Sequence, residues 1–537
     1  MATIMPHGVL FRGGKERLIR EILINDDLIE AIISLPPGLF YGTGIPACVL
    51  VCNKSKPDAL RDKVLFINAD REFAEGKKQN KLRPEDIEKI DDVFTRKREI
   101  PKYSRLVDKA EITGTHDYNL NIRRYVDNTP EPEPEDVQAH LIGGIPEAEV
   151  QARQADFAQF GLAPALLFRP ERPGYLAFEA AIDAKPAIKT RLESAAALQR
   201  TLVTHQQALE SWWGVARDDF ARLRDGKTLP EVRLELLTSL KAKLIPLSVL
   251  DEFQAAGVFV NWWQQIRFDL KTIVATGWHH SLIPDENLVA AFFQAEADAI
   301  EALEAQIGET RGELAEAVET AQEVTAYEPD EDEKVTAVLI KKVLKALIDD
   351  LKDSAGDSAA RERTALQAQE RAITALEKRI KDTRAKLKTK TDELEVKLQL
   401  KRIGGEESQA EARVLLDQVE TRLAGLDPGR KADKRTYNAL SKDKAALQAR
   451  LTETDALLEA IGGQLTDDEA KGLILSKLYR IANAEMNRYL NAEKRALIWI
   501  VENLWDKYAV SSRKLEQARE DTLKVLDGFL DGLGYLG

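Results

Sequence analysis

The chain has 537 residues, 31% of them charged, and a formal net charge of −13. That length exceeds one ordinary domain of roughly 150 residues, and the acidic balance excludes a protein that binds nucleic acid over its whole surface, since phosphates require clustered Lys and Arg. No apolar run reaches the roughly 18–20 residues of a membrane helix and the N-terminal stretch lacks a signal-peptide pattern, so a cytoplasmic protein without membrane contact is expected.

In chain order, residues 1–126 read as α/β. The apolar run 8-GVLF-11 predicts a short strand, followed by a turn at 12-RGG-14. In 15-KERLIREILIND-26, Leu18, Ile19, Ile22 and Leu23 recur at helical spacing. The runs 28-LIEAIISL-35, 47-ACVLVC-52 and 64-VLFINA-69 predict buried strands, and 84-PEDIEKIDDVFTRK-97 predicts a helix with Pro in its first turn. Strands alternating with helices imply a parallel or mixed sheet covered on its faces. Cys48 and Cys52 fall on one face of a strand; they read as reduced core thiols, because a metal pair would need further ligands nearby.

The segment 127-DNTPEPEPED-136 favours extended polyproline geometry and marks a linker over 127–137. A helical domain is expected over 138–295, with a core rich in Trp212, Trp213, Trp262, Trp263 and Trp278. A long helical arm follows over 296–465, with an acidic break at 328-EPDEDE-333. In the arm, Leu366, Ile373, Ile380, Leu387 and Leu394 recur every seventh residue, the mark of a left-handed seam. A returning helix over about 434–461 offers Leu440, Leu447 and Ile461 in one register, and Leu451, Leu458 and Leu465 in the other. The breakers 403-IGGEES-408 and 425-GLDPGRK-431 would permit the reversal, giving an antiparallel coiled-coil-like arm. The closing segment, 466–537, regains apolar weight: Leu497, Ile500, Val501 and Leu504 lie at helical spacing near Trp499 and Trp505. The tail from 515-LEQARED-521 to 534-GYLG-537 is expected to dock on the same body.

Residues 1–126 resemble the modification subunit of type I restriction–modification systems, a family of adenine-N6 DNA methyltransferases. The resemblance rests on 6-PHGVLFRGG-14, 33-ISLPPGLFYGTGIPACVLV-51, 64-VLFINADREF-73, 78-KQNKLRPEDIEKI-90 and 118-YNLNIRRYV-126, which agree in order and spacing. It implies a partial Rossmann-like methyltransferase sheet followed by a large all-α region. In the family, a Gly-rich loop holds S-adenosylmethionine, and an Asn-Pro-Pro-Phe/Tyr loop after the fourth strand grips the target amine. This sequence contains neither: Pro36–Pro37, its one Pro-Pro pair, follows Leu35. The resemblance therefore covers the second half of the methyltransferase domain. It implies no catalytic, cofactor-binding or metal residue here, and a chain that neither binds the donor nor methylates alone. The strand at 8-GVLF-11 would then present an unpaired edge where the fourth strand belongs.

Methylating an adenine amine requires the base to leave the duplex and be held. By position in the motif, Phe40 and Tyr41 are the candidates to stack on it, with Thr43 and Gly44 shaping the loop; the bland reading is that both rings close the sheet's edge. His7 reads as a loop packing residue rather than a base. His279 and His280 lack neighbouring ligands at metal spacing. The run 12-RGGKER-17 reads as a solvated first turn, with phosphate contact as its sharper reading. The partners implied are a specificity subunit, a second modification subunit, a restriction subunit, DNA within the complex, and a separately encoded methyltransferase half if that half is not lost. The alternative from a different class is a structural coiled-coil protein whose α/β piece is a docking remnant.

Overall fold

The computed structural model describes residues 1–223, 228–329, 334–352 and 357–533, the side chains of 406–408 excepted. They form two compact units, Met1–Val274 with Leu478–Gly537, and Ala275–Lys477.

The first unit opens with a five-stranded mixed sheet. Its elements in chain order are β1 (Ala2–Pro6), α1 (Lys15–Asn25), β2 (Ile29–Ser34), β3 (Ala47–Cys52), β4 (Lys63–Asn68), α2 (Pro84–Arg96) and β5 (Ser104–Asp108). The strand order is β1-β3-β2-β4-β5. β3 is antiparallel to both β1 and β2, so β1, β2 and β4 run in one direction. Period-two alternation sorts the sheet into two faces. Ile32, Cys48 and Phe66 meet Ile24 of α1 and the segment around Leu120–Val126 on one face; Ile33, Leu65 and Ile67 meet Val93 of α2 on the other. At the start of α2, the Asp86 carboxylate accepts the Arg83 N–H at 2.8 Å, with Pro84 in the first turn, so the helix start is satisfied locally.

Two sequence expectations change here. The strand expected at 8-GVLF-11 is instead a short 3₁₀ turn over His7–Leu10, and the edge strand is the preceding β1. Leu10 turns inward and is 2% exposed, so it is a core anchor below the sheet rather than a ladder residue. The second edge strand, β5, has too short an apolar pattern to stand out in the sequence.

Beyond the linker, short elements pack near the chain's end: α3 (Val137–Ile142), β6 (Ile145–Pro146), α4 (Glu147–Ala152), α5 (Gln154–Gln159), β7 (Phe168–Arg172), β8 (Tyr175–Phe178) and α6 (Lys185–Glu193). Three long helices follow: α7 (Ala196–Ala221), α8 (Leu229–Leu244) and α9 (Glu252–Thr276). Their core is aromatic. Trp212 and Trp262 are each 1% exposed, with ring centroids 5.3 Å apart and edge to face. Each indole N–H finds a carbonyl, Leu236 O at 3.2 Å and Leu478 O at 2.8 Å. The same body binds α2 and the turn after it: Arg98 reaches Glu252 at 2.7 Å, and Lys89 of α2 lies over the Phe253 ring.

The second unit holds α10 (Asp285–Phe292), α11 (Gln294–Thr325), α12 (Ala337–Asp350), α13 (Asp357–Ala424), α14 (Lys434–Ala460) and the start of α15 (Asp467–Tyr508); α16 (Ser512–Gly532) returns to the first unit. The coiled-coil-like arm expected over 296–465 is not one two-stranded seam. Leu366 and Ile373 pack with Ala321 of α11 and with Ile340 and Leu344 of α12, a three-helix cluster. The pairs Arg379–Glu313 and Lys397–Glu296 bind α13 to α11. The expected returning helix α14 meets only the later part of α13, where Gln409 bonds Asp455 at 2.7 Å and Lys444 pairs with Glu420. The reason is local. At Gly404, φ +78, two helical stretches of α13 meet at a kink, and α14 lies along the stretch after it. Residues 330–333 of the acidic break and the tail 534-GYLG-537 lie outside the described residues.

Candidate functional site

Because β1, β2 and β4 are parallel to one another, their carboxyl ends share one edge of the sheet, the usual place for ligands in open α/β sheets. That edge gathers Pro6, the last residue of β1, with His7 after it, Ser34 at the end of β2, and Asn68 at the end of β4 with Asp70 beyond. His7 Nε2 lies 3.0 Å from the Ala47 carbonyl and 3.3 Å from Ser34 Oγ. A carbonyl only accepts, so Nε2 carries the proton. Burial pushes the His7 imidazole below its ordinary value, against the opposing pull of the Ala47 bond and of Asp70. Asp70 is itself engaged: Arg123 donates to it at 3.1 Å and Asn128 at 2.5 Å. Asn68, 2% exposed, donates to the Val126 carbonyl at 2.9 Å, while its own Oδ1 is buried without a partner.

Over this edge runs the loop 35–46. Gly38 and Gly42 take φ of +68° and +75°, a region closed to most side chains, and so the loop needs glycine at those two positions. Gly44 does not use a positive φ. Thr43 Oγ1 accepts the N–H of Ile45 at 3.1 Å. Tyr41 is 86% exposed and Phe40 39% exposed, so neither ring closes the core. The predicted loop residues are thus together at one tip, above the polar edge. His7, Asn68, Asp70, Arg123 and Asn128 were not singled out for this place from the sequence. Most lie inside runs quoted for the resemblance, yet nothing local marks residues that meet across 27 to 58 positions.

The first turn of α1 is occupied by its own charges. Arg12 pairs with Glu16, and Arg17 pairs with Glu21 and Asp117, each of the latter at 2.7 Å. In the second unit, the rings of His279 and His280 lie 4.0 Å apart, and His279 Nδ1 bonds Ser281. Among the described residues, no group of three or more His, Cys, Asp or Glu could hold a metal ion, and no helix is long and apolar enough to cross a membrane.

Comparison with known proteins shows what this region is similar to. Residues 1–134 match the N-6 DNA methylase family. This region is similar to the methylase subunits of type I restriction enzymes. It is 45% identical over 144 residues to the type I restriction enzyme MjaVII methylase subunit of Methanocaldococcus jannaschii, covering 26% of this chain and 25% of that protein. It is 34% identical over 154 residues to the MpnII methylase subunit of Mycoplasma pneumoniae, covering 28% of each. Among solved structures, the type I methyltransferase subunit of Streptococcus thermophilus is 42% identical over 24% of this chain and 26% of that one, with a TM-score of 0.22. The chain spans about a quarter of the length of the curated relatives it matches.

The N-6 methylase family implies S-adenosylmethionine as methyl donor. The carboxyl edge of this sheet, taken by itself, does not fit it. The turns after β2 and β4 lead through Pro-rich and polar loops, and the Asp70 carboxylate at the edge is already bonded by Arg123 and Asn128. No Asn-Pro-Pro is present to hold an amine.

Proposed function

We propose that this chain supplies the target-base side of an adenine-N6 DNA methylase in a type I modification subunit, with the donor pocket and the Asn-Pro-Pro loop contributed by elements that pair on the free edge of β1. Whether those elements lie on the same polypeptide or another, the geometry required of them is the same. The observation that carries the reading is an unfinished edge beside the aromatic loop. β1 is an edge strand, and Ile4, opposite Val49 in the ladder, is 56% exposed. On α1, Leu18, Ile19 and Ile22 are 59%, 56% and 59% exposed. Apolar side chains left open on both sides of an unpaired strand invite a further strand and helix. In this reading the exposed rings of Phe40 and Tyr41 receive the planar base, a contact worth roughly 1–3 kcal/mol per base.

The helical remainder serves as docking surface for the specificity subunit in this reading. α16 supports it with Leu515, Leu526, Phe529 and Leu533 exposed along one stripe, a helix face suited to a groove or bundle. A second modification subunit, a restriction subunit and DNA complete the assembly, and the protein works in the cytoplasm where that DNA lies.

The test is reconstitution. A polypeptide carrying the Gly-rich and Asn-Pro-Pro loops is mixed with this chain and a specificity subunit, and methyl transfer from labelled S-adenosylmethionine to DNA is followed. Activity should require both polypeptides, and Ile4→Lys with Ile19→Glu should weaken their association by at least about tenfold. Donor binding or methyl transfer by this chain alone would overturn the reading.

A further inference from the structure

The loop 35–46 is held at its stem from two directions, and the tethers stop where the aromatic tip begins. On one side, the two residues that bracket the loop, Ser34 and Ala47, both meet His7 Nε2, at 3.3 and 3.0 Å. Ala47 O also accepts the Leu35 N–H at 2.9 Å, and the His7 N–H faces Pro46 O at 3.5 Å. On the other side, Asn80 donates from Nδ2 to Pro37 O at 2.8 Å and from its backbone to Gly38 O at 2.9 Å, while Gln79 donates to Leu39 O. Three consecutive carbonyls, 37 to 39, are thereby fixed, and Phe40 is the next residue. Asn80 is tied down in turn, its Oδ1 accepting the Gly76 N–H at 3.2 Å. A Cβ on Gly38 would meet Asn80 Nδ2 at 3.2 Å, so the approach is close.

We propose that His7, Gln79 and Asn80 are positioning residues that preset the tip, so that Phe40 and Tyr41 receive an unpaired nucleobase without first ordering the loop. This rests on the base-binding reading above and adds the residues that make it efficient. The physical reason is entropic. A loop fixed before binding does not lose its backbone freedom on binding, and the stacking contact is then retained as affinity. His7 acts by its Nε2–H donor; no proton transfer is assigned to it.

The full chain is tested as His7→Gln, whose amide N–H reaches where Nε2 does, His7→Leu, which keeps volume but no donor, and Asn80→Asp, which replaces a donor by an acceptor facing Pro37 O. Two readouts are taken: native-state chymotrypsin cleavage at Phe40 and Tyr41, and quenching by a single-stranded oligonucleotide carrying 2-aminopurine. Tryptophan fluorescence in urea verifies that each variant is folded. His7→Leu and Asn80→Asp should each speed cleavage about fivefold and weaken oligonucleotide binding by a similar factor, the effect of one lost hydrogen bond. His7→Gln should stay within about twofold of the parent. Equal behaviour of His7→Gln and His7→Leu, with Asn80→Asp at the parental rate, overturns the proposal, because packing alone would then explain His7. Cleavage that responds as stated while the parent chain shows no quenching leaves the tethers standing and removes the base-binding reading instead.

Discussion

The hydroxyl of Tyr489, on α15, donates to Oε2 of Glu85, on α2, at 2.6 Å inside the first unit. Residues 404 positions apart in sequence therefore share one buried hydrogen bond, with Glu85 9% and Tyr489 5% exposed. Asn261 of α9 adds its Nδ2 to the same hydroxyl at 2.9 Å, and Arg83 approaches Glu85 at 3.3 Å. The five-stranded sheet and its helix α2 are thus fastened to the helices by a polar network rather than by apolar contact alone.

Removing the hydroxyl leaves a buried carboxylate short of a donor. Tyr489→Phe should lower the stability of the chain by about 1–3 kcal/mol, because an unsatisfied buried group costs more than a typical bond gains. Urea denaturation followed by tryptophan fluorescence checks this, and an unchanged midpoint would show that the bond is dispensable.

Gly257 gives a prediction of opposite sign to helix propensity. In the middle of a helix, Gly→Ala should gain about 1 kcal/mol. A Cβ at Gly257 would, however, run into the Tyr489 hydroxyl and sit 3.0 Å from both Tyr489 Cζ and Glu85 Oε2. The tyrosine ring is stiff and cannot fold away, so Gly257→Ala should destabilise by about 1–3 kcal/mol. Combined with Tyr489→Phe, which clears the hydroxyl, the penalty should shrink; a double-mutant cycle measures the coupling.

Two histidines set an acid limit. Burial holds the imidazoles of His7 and His205 below their ordinary value of 6.5. His205 is 0% exposed, with Nδ1 bonded to Thr201 O at 2.8 Å and Nε2 buried without a partner. The folded rings stay neutral at a pH where unfolded ones take up a proton. Their contribution is therefore complete above about pH 6.5 and is lost as the pH falls from there through the depressed folded values. Urea midpoints between pH 7.5 and 5.5 should decline, and His7→Gln with His205→Gln should flatten that decline; a slope untouched by the double variant would refute it.

The two thiols should differ in reactivity. Cys48 is 0% exposed and burial pushes its thiol up to about 11, whereas Cys52 is half-buried and raised from the same cause, with the N-terminal ammonium opposing. The thiolate is the reactive form. At pH 8, Cys52 should alkylate before Cys48, and Cys48 at the rate of unfolding, as read by mass spectrometry. Four strand residues separate them by roughly 13 Å, too far for a disulfide, so mild oxidation should leave no intramolecular bridge.

The sequence by itself determined the parts whose signal is local. The buried strands around 29–34, 47–52 and 63–68 and the helices at 15–25 and 84–96 follow from continuous or periodic apolar runs, and the aromatic loop is announced by its Pro and Gly residues. Only the tertiary structure decided the rest. The edge strands β1 and β5 are short and half-exposed, so they carry little pattern until a neighbour pairs with them. The heptad leucines of α13 specify a seam but not its partner, since α11, α12 and α14 all offer apolar stripes, and only the distances between helices select among them. His7 holds the loop's stem and Tyr489 holds Glu85 because folding brings them within 3 Å or so, a distance that no spacing along the chain encodes.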